Sequence, residues 1–284
     1  MKSFVPSASA ESLDRAALYS NPAMPLENPG RPVLGYNLPK ALHHFRELLK
    51  DKEQTEEVFH IFEALPWKQL FPVSRRFAAS AAGQALRVSE PYLPAILDDH
   101  AALRRTPKGS LGHAYCDFME REGLSAQGLV HEYGKFIGDR PMLHDAMEWY
   151  GHRLRDTHDL LHVLTGYGRD ALGEQCVLAF TYSQQPSPAH LFIGYAGGLH
   201  LRRTVPVRAP IFRAIREGQK LGKACPRLVE QPVTDLLAMP IDEVRQRLNI
   251  TPARWYHEVH RIWRAAGLDP YDLWNEPVAQ PLAA

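Results

Sequence analysis

The chain has 284 residues, 45% hydrophobic and 23% charged, with 33 Lys and Arg against 32 Asp and Glu and a formal net charge of +1. That balance describes a globular protein with enough chain for one large domain or two small ones, and it carries no basic tract of the kind that marks a nucleic-acid partner. The three cysteines, Cys116, Cys176 and Cys225, are too few and too widely spaced for a disulfide framework or a thiolate zinc site, which points to a reducing compartment.

In chain order, Met1 to Pro32 holds Pro6, Pro22, Pro25, Pro29 and Pro32 without a continuous apolar run. With Glu11, Asp14 and Glu27 in it, the segment fits neither a secretory signal nor an acid-poor transit peptide, and it reads as a loosely ordered arm. Beyond it, apolar spacing predicts helices over Leu38 to Lys50, Thr55 to Glu63, Ser74 to Val88, Tyr92 to Ala102, Ser110 to Glu122, Ala126 to Gly134 and Met142 to Leu164. Further helices are predicted over Ala171 to Gln184, Pro210 to Leu221, Asp242 to Leu248 and Thr251 to Ala266. The breaks carry turn chemistry at Thr106-Pro107-Lys108-Gly109, Gly138-Asp139-Arg140-Pro141 and Gln185-Pro186-Ser187-Pro188.

The expected fold is all-α: an amino-terminal arm with a leading helix over residues 1–54, one compact multi-helix domain over 55–267, and a tail over 268–284 containing Glu276-Pro277-Val278-Ala279-Gln280-Pro281. No apolar run approaches the roughly 20 residues needed to cross a bilayer. The stretch from Leu191 through Phe192, Gly194, Gly197 and Gly198 to Leu199 alternates bulky apolar residues with glycine. It reads either as close helix packing or as a groove open to a long apolar ligand. Trp255 to Trp263, with the histidine pair His257 and His260, reads as an ordinary terminal amphipathic helix.

The chemistry concentrates in His158-Asp159-Leu160-Leu161-His162, followed after eleven residues by Glu174. Histidines four apart share one helix face, with the Asp159 carboxylate beside them. Glu174 would lie about 24 Å from His158 on a straight helix. Gly166 and Gly168 instead allow a helix C-cap, and Asp170 can cap a second helix, so a helical hairpin returns Glu174 to the level of the histidines. His144, Glu148, Gly151, Arg155, Asp159 and His162 fall on one polar stripe of the preceding helix, amid mostly apolar faces. A buried stripe of that kind needs a metal or charged partners. The set of nitrogen and oxygen donors suits Zn, Mn or Fe(II), with Asp159 as a direct ligand or as the group that orients a histidine.

Arg155 to His162, with Gly166 and then Gly173-Glu174, resembles the signature of the fourth-numbered Coq family of coenzyme Q (ubiquinone) biosynthesis: H-D-x-x-H, eleven residues, then E. Pro107 to Gly112 and Asp235 to Ile250 fit the same order, so the resemblance covers about residues 60 to 250; the arm and the tail after Gly267 are unmatched. It implies a helical protein holding a divalent metal, usually zinc, through His158, Asp159, His162 and Glu174. It further implies peripheral attachment to a membrane, a polyprenylated benzoquinone precursor as ligand, and contact with other ubiquinone-biosynthesis proteins. The expected location is the cytoplasmic face of a membrane in a bacterial setting, with a homodimer left open.

The implied reaction is loss of the C1 carboxylate from a prenylated hydroxybenzoate, a carbon-carbon lyase step that is coupled to hydroxylation if the metal is redox-active iron or manganese. In that reading Glu148 or His144 moves a proton while the cation holds a carboxylate or phenolate. Leu191, Phe192, Gly194, Gly197 and Gly198 line the prenyl tail. Two other readings compete: a lipid-binding scaffold with a structural metal, and a helical metallohydrolase, which the lack of a second clear ligand cluster disfavours.

Overall fold

Side-chain caps divide this sequence into its helices. Asn37, Ser80, Asp99, Ser110, Ser125, Asp145, Asp170 and Ser187 each accept a hydrogen bond from a backbone N–H at the start of the helix that follows. The structure, a computed structural model, describes residues 10–51 and 54–273. The chain runs through α1 (Ala10–Ser20), α2 (Leu38–Lys50), α3 (Thr55–Ala64), α4 (Leu70–Ala79), α5 (Ala81–Ser89), α6 (Leu93–Leu97), α7 (His100–Leu103), α8 (Leu111–Glu122) and α9 (Ala126–Ile137). It continues through α10 (Ala146–Asp156), α11 (His158–Thr165), α12 (Ala171–Gln184), α13 (Pro188–Thr204), α14 (Ile211–Ala224), α15 (Val233–Ala238), α16 (Ile241–Arg247) and α17 (Arg254–Ala265). No strand occurs among the described residues, and none of their helices is long and apolar enough to cross a membrane.

The largest core lies where α12 crosses α14, with α8, α11, α15, α16 and α17 around it: Leu111, Tyr115, Met119, Leu160, Leu172, Cys176, Phe180, Ile215, Val259 and Trp263 are all buried there. The α12–α14 crossing depends on glycine. A Cβ on Gly218 would lie 2.5 Å from the Cys176 carbonyl oxygen, and one on Gly222 2.1 Å from that of Phe180. A second core joins Tyr19 and Met24 to Trp149 and Tyr150 of α10, and a third joins α2, α3 and α13 through Phe45, Ile61 and Ile193.

Several local expectations change. The arm carries α1, and Tyr19 and Met24 are buried in the second core, because Tyr19 in the last turn of α1 and Met24 one turn beyond its end found a surface on α4, α5 and α10. The helix expected over Met142 to Leu164 is two helices. His144 has a φ of 51° outside the first, and the Thr157 hydroxyl donates back to the Arg153 and Leu154 carbonyls where α10 gives way to α11. Ser74 to Val88 divides at Ser80, whose extended backbone and hydroxyl cap start α5. Tyr92 to Ala102 divides at Asp98, whose carboxylate accepts from the Ala126 and Gln127 N–H groups and so caps α9 instead. Leu191 to Leu199 lies inside α13, a full helix. Residues 276–281 of the expected tail lie outside the described residues.

Candidate metal centre

The α11–α12 hairpin brings the predicted residues together. Gly166 ends α11 in the left-handed region at φ 76°, Tyr167 turns inward, and Asp170 caps α12 by accepting from the Leu172 and Gly173 N–H groups. Gly173 is required for the closeness of this turn: a Cβ there would lie 2.0 Å from the Gly168 carbonyl oxygen. The next residue is Glu174. Its Oε2 stands 3.8 Å from His158 Nε2 and 3.6 Å from His162 Nε2, and the two histidine nitrogens are 3.4 Å apart. The Asp159 carboxylate lies within 4.8 Å of both histidine donors.

This triangle fits a divalent ion. Donors about 2.0–2.1 Å from zinc at tetrahedral angles stand roughly 3.3–3.4 Å from one another, close to the edges here. The orientation fits as well. His162 Nδ1 donates to the Tyr167 carbonyl 3.1 Å away, which leaves the Nε2 lone pair of the neutral ring facing Glu174. Phe118 stacks on the ring at 5.6 Å and holds its plane. His162 is buried, whereas the side chains of His158 and Glu174 are each 32% exposed, so the cluster opens to one side.

The charges are mutually adjusted. Burial alone would raise the Glu174 carboxyl, but His162, His158 and Arg169 outweigh it and bring it down to about 2. Burial holds His158 below the usual imidazole range, with His162 adding to the effect. Burial also acts to lower His162, yet the Glu174 charge outweighs it and leaves the group raised. Arg169 Nε lies 3.9 Å from Glu174 Oε1, a contact that the sequence reading missed although Arg169 falls inside the motif's gap.

The structure does not bring Glu148 and His144 to the cluster. Glu148 sits in the first turn of α10, on the far side of the break at Thr157 that separates α10 from α11. There it accepts the His144 N–H at 2.6 Å and helps cap the helix, and the His144 side chain is exposed. Gly197 and Gly198 face Gln175 and Ile215, where a Cβ would come within 2.5 and 2.4 Å of those side chains, and Gly194 lies on α12 at ordinary contact distance. The close-packing reading describes these three glycines. Leu191 and Phe192 are half-buried, with Phe192 edge-on to Phe45 at 5.2 Å.

Two further sets emerge only from the fold. His260 and Tyr256 of α17 both hydrogen-bond Asp170, and Tyr256 also accepts the Gly168 N–H, so the terminal helix holds the turn that delivers Glu174. His100, Cys116 and Glu120 form a second group with donor atoms close together. There Arg104 already pairs with Glu120, and burial pushes the Cys116 thiol up to about 11, so the group stays protonated near neutrality.

Comparison with known proteins places the chain among its relatives. The sequence profile described as "Coenzyme Q (ubiquinone) biosynthesis protein Coq4" matches residues 48–254. A Caenorhabditis elegans protein named as a mitochondrial ubiquinone biosynthesis protein is 27% identical over 191 residues, 63% of this chain and 74% of that one. A mitochondrial homologue from Culex quinquefasciatus is 30% identical over 105 residues, 37% of this chain and 44% of that one, and the Mus musculus homologue is 25% identical over 54% of this chain and 55% of its own. The chain thus spans about half the length of several curated relatives that it matches. The crystal structure of a protein assigned provisionally to ubiquinone biosynthesis in Nostoc punctiforme superposes with a TM-score of 0.50 at 25% identity, over 75% of this chain and 98% of that one. With the profile covering most of the chain and the hairpin bringing the motif's donors together, the protein belongs to the Coq4 family of coenzyme Q (ubiquinone) biosynthesis proteins.

Proposed function

We propose that this protein acts in ubiquinone biosynthesis and removes the C1 carboxylate from a polyprenylated hydroxybenzoate precursor, with one divalent ion held by His158, His162 and Glu174. The observation that supports it is the donor triangle of 3.4 to 3.8 Å that opens to solvent on one side, built around a histidine whose free nitrogen is fixed by a backbone carbonyl. When bound, the ion supplies a positive centre for a substrate oxygen and for negative charge developing on the ring. Zinc fits the donor set; iron or manganese would add a path to hydroxylation at the same carbon.

In the simple lyase step the bond from C1 to the carboxylate breaks, carbon dioxide leaves, and the electron pair remains on the ring carbon, which then takes a proton. Glu148 and His144 stand too far away to deliver it. Asp159, whose carboxylate lies within 4.8 Å of both histidine donors, takes the role of fourth donor or proton carrier. Leu191 and Phe192 offer apolar surface to the prenyl tail. Peripheral contact with a membrane is supported by exposed Val33, Leu34, Tyr36, Leu38 and Leu42, which gather around the start of α2 beside Lys40. Other ubiquinone-biosynthesis proteins are the partners in this reading.

The test is to incubate the metal-loaded full chain with a prenylated hydroxybenzoate and follow carboxylate loss by mass spectrometry, with Glu174→Ala as control. Metal-dependent loss in the wild type alone is expected. Tight binding without turnover, even with oxygen and reductant supplied, would overturn the lyase reading in favour of a lipid-presenting scaffold.

A further inference from the structure

Residues 202–223 hold seven of the chain's 33 Lys and Arg but one of its 32 Asp and Glu, so this short segment stands at +6 in a chain of net +1. Within it, α14 sorts the charge onto one side. Ala214, Ile215, Gly218 and Leu221 are buried against the core, whereas Arg213, Arg216, Lys220 and Lys223 are exposed at the i, i+3, i+7, i+10 spacing that keeps residues on one helix face. The neighbouring α17 repeats the pattern. Arg254, His257, Arg261 and Arg264 are exposed at the same spacing, behind buried Val259 and Trp263.

The two stripes meet at Trp255. Its half-buried ring has the Arg213 guanidinium 4.7 Å and the Arg254 guanidinium 5.2 Å from its centroid. The carboxylates on these two helices are engaged: Glu217 accepts the Trp255 N–H at 2.7 Å, and Glu258 holds Arg261 at 2.8 Å. Among the described residues, no carboxylate stands within ion-pair distance of Arg213, Arg216, Lys220, Lys223, Arg254 or Arg264. Protein surfaces ordinarily intersperse the two signs, because a field of one sign repels itself. Six unpaired cations on two packed helices are relieved by a partner that carries many negative charges.

The cations stand along the outer sides of two cylinders and do not converge on a point, so they fit a spread of separate anions and not a single one. Aromatic side chains lie among them: Trp255, and Phe212 with the Arg202 guanidinium 6.0 Å from its centroid. Rings of this kind, with Lys and Arg reaching outward on long stems, suit the headgroup level of a bilayer. We propose that the α14–α17 face binds the anionic phospholipid headgroups of a membrane leaflet. A polyprenylated acid of the proposed class resides in a bilayer, so this face rests on that reading for its partner; it adds the lipid class, on helices other than the α2 that carries the exposed apolar residues.

The experiment floats the full chain with vesicles of phosphatidylcholine alone, or with about one-third phosphatidylglycerol, at low and high salt. The wild type should prefer the anionic vesicles by about a hundredfold or more at low salt, and the preference should shrink at high salt. Each Lys or Arg at such a surface is worth about fivefold in partition. Lys220→Gln with Lys223→Gln should therefore lose about 25-fold, and Arg216→Glu with Lys220→Glu more, both with wild-type melting curves because these side chains are exposed. Lys108→Glu with Lys135→Glu, exposed elsewhere, changes net charge as much as the reversal pair and should bind as the wild type does. Wild-type binding by both α14 variants overturns the proposal, as does an equal loss in the control pair. Tighter binding of polyglutamate or of a DNA duplex than of the anionic vesicles also overturns it, in favour of an acidic protein or a nucleic acid. Binding to both vesicles without an anionic preference overturns this face alone and leaves the apolar contact near α2 standing, whereas binding to neither overturns peripheral membrane contact with it.

Discussion

His260 Nε2 lies 3.0 Å from Asp170 Oδ1, joining the last described helix to the turn that delivers Glu174. Both groups are buried, and Tyr256 completes the arrangement by donating to Asp170 while accepting from Gly168. His260→Ala should therefore cost about 1–3 kcal/mol of stability, the range for stranding a buried polar partner. It should also weaken metal binding although His260 touches no ligand. Urea unfolding with parallel metal titration checks both; wild-type metal affinity in a destabilised variant would separate the hub from the cluster.

Metal retention should depend on three side chains and on pH. Elemental analysis should find one divalent ion per wild-type chain and close to none in His158→Ala, His162→Ala or Glu174→Ala. His162 must lose its proton to bind a metal, and its folded value is raised by the Glu174 charge, so affinity should fall as pH drops through that raised value. His158, held low by burial, is already neutral there and should not limit binding. Dialysis at stepped pH with metal quantification tests it, and retention unchanged into mild acid would contradict it.

Acid should unfold the protein partly through His190. Burial, with His158 nearby, lowers this group from the ordinary 6.5 to about 3 in the folded chain. The unfolded chain then binds more protons between those values. The stabilising contribution is full above pH 6.5 and is lost as pH falls toward 3, with a slope of up to about 1.4 kcal/mol per pH unit. Thermal melts from pH 7 to 4 should show a shallower decline for His190→Asn than for the wild type. Parallel curves would remove His190 from the account.

Two glycines give opposite signs. Gly222→Ala forces a Cβ against the Phe180 carbonyl across the α12–α14 crossing, where backbone cannot yield cheaply, and should cost about 1–3 kcal/mol. Gly151, inside α10, has nothing within 4 Å of an added Cβ. Gly151→Ala should stabilise by about 0.5–1 kcal/mol through helix propensity and a more restricted unfolded chain. Denaturant midpoints of the two variants decide the matter.

The Gly218-x-x-x-Gly222 spacing behind the first of these was present in the sequence as one weak pattern among 19 glycines. What made it informative was the partner helix, which no local pattern names. The same holds for Glu148 and His144. Their place on the polar stripe was legible from a 3.6-residue period, but that period holds only along an unbroken helix, and the break at Thr157 depends on a hydroxyl bonding back to Arg153. The stretch from Leu191 to Leu199 likewise leaves a groove open beside the favoured close packing until Gln175 and Ile215 are seen to fill the space beside its glycines.

By itself the sequence determined the helical class, most of the longer helices and the meeting of His158, His162 and Glu174, because each rests on local chemistry: apolar periodicity, capping side chains, and histidines four apart before a glycine-broken turn. Tertiary structure alone decided how tightly that triad closes, which nitrogen of His162 is left free, that Arg169 and Asp170 serve the same turn, and that α17 holds it through His260. These depend on residues up to 90 positions apart, brought together by burial of a shared core, and burial is a property of the packed chain that no short window of sequence contains.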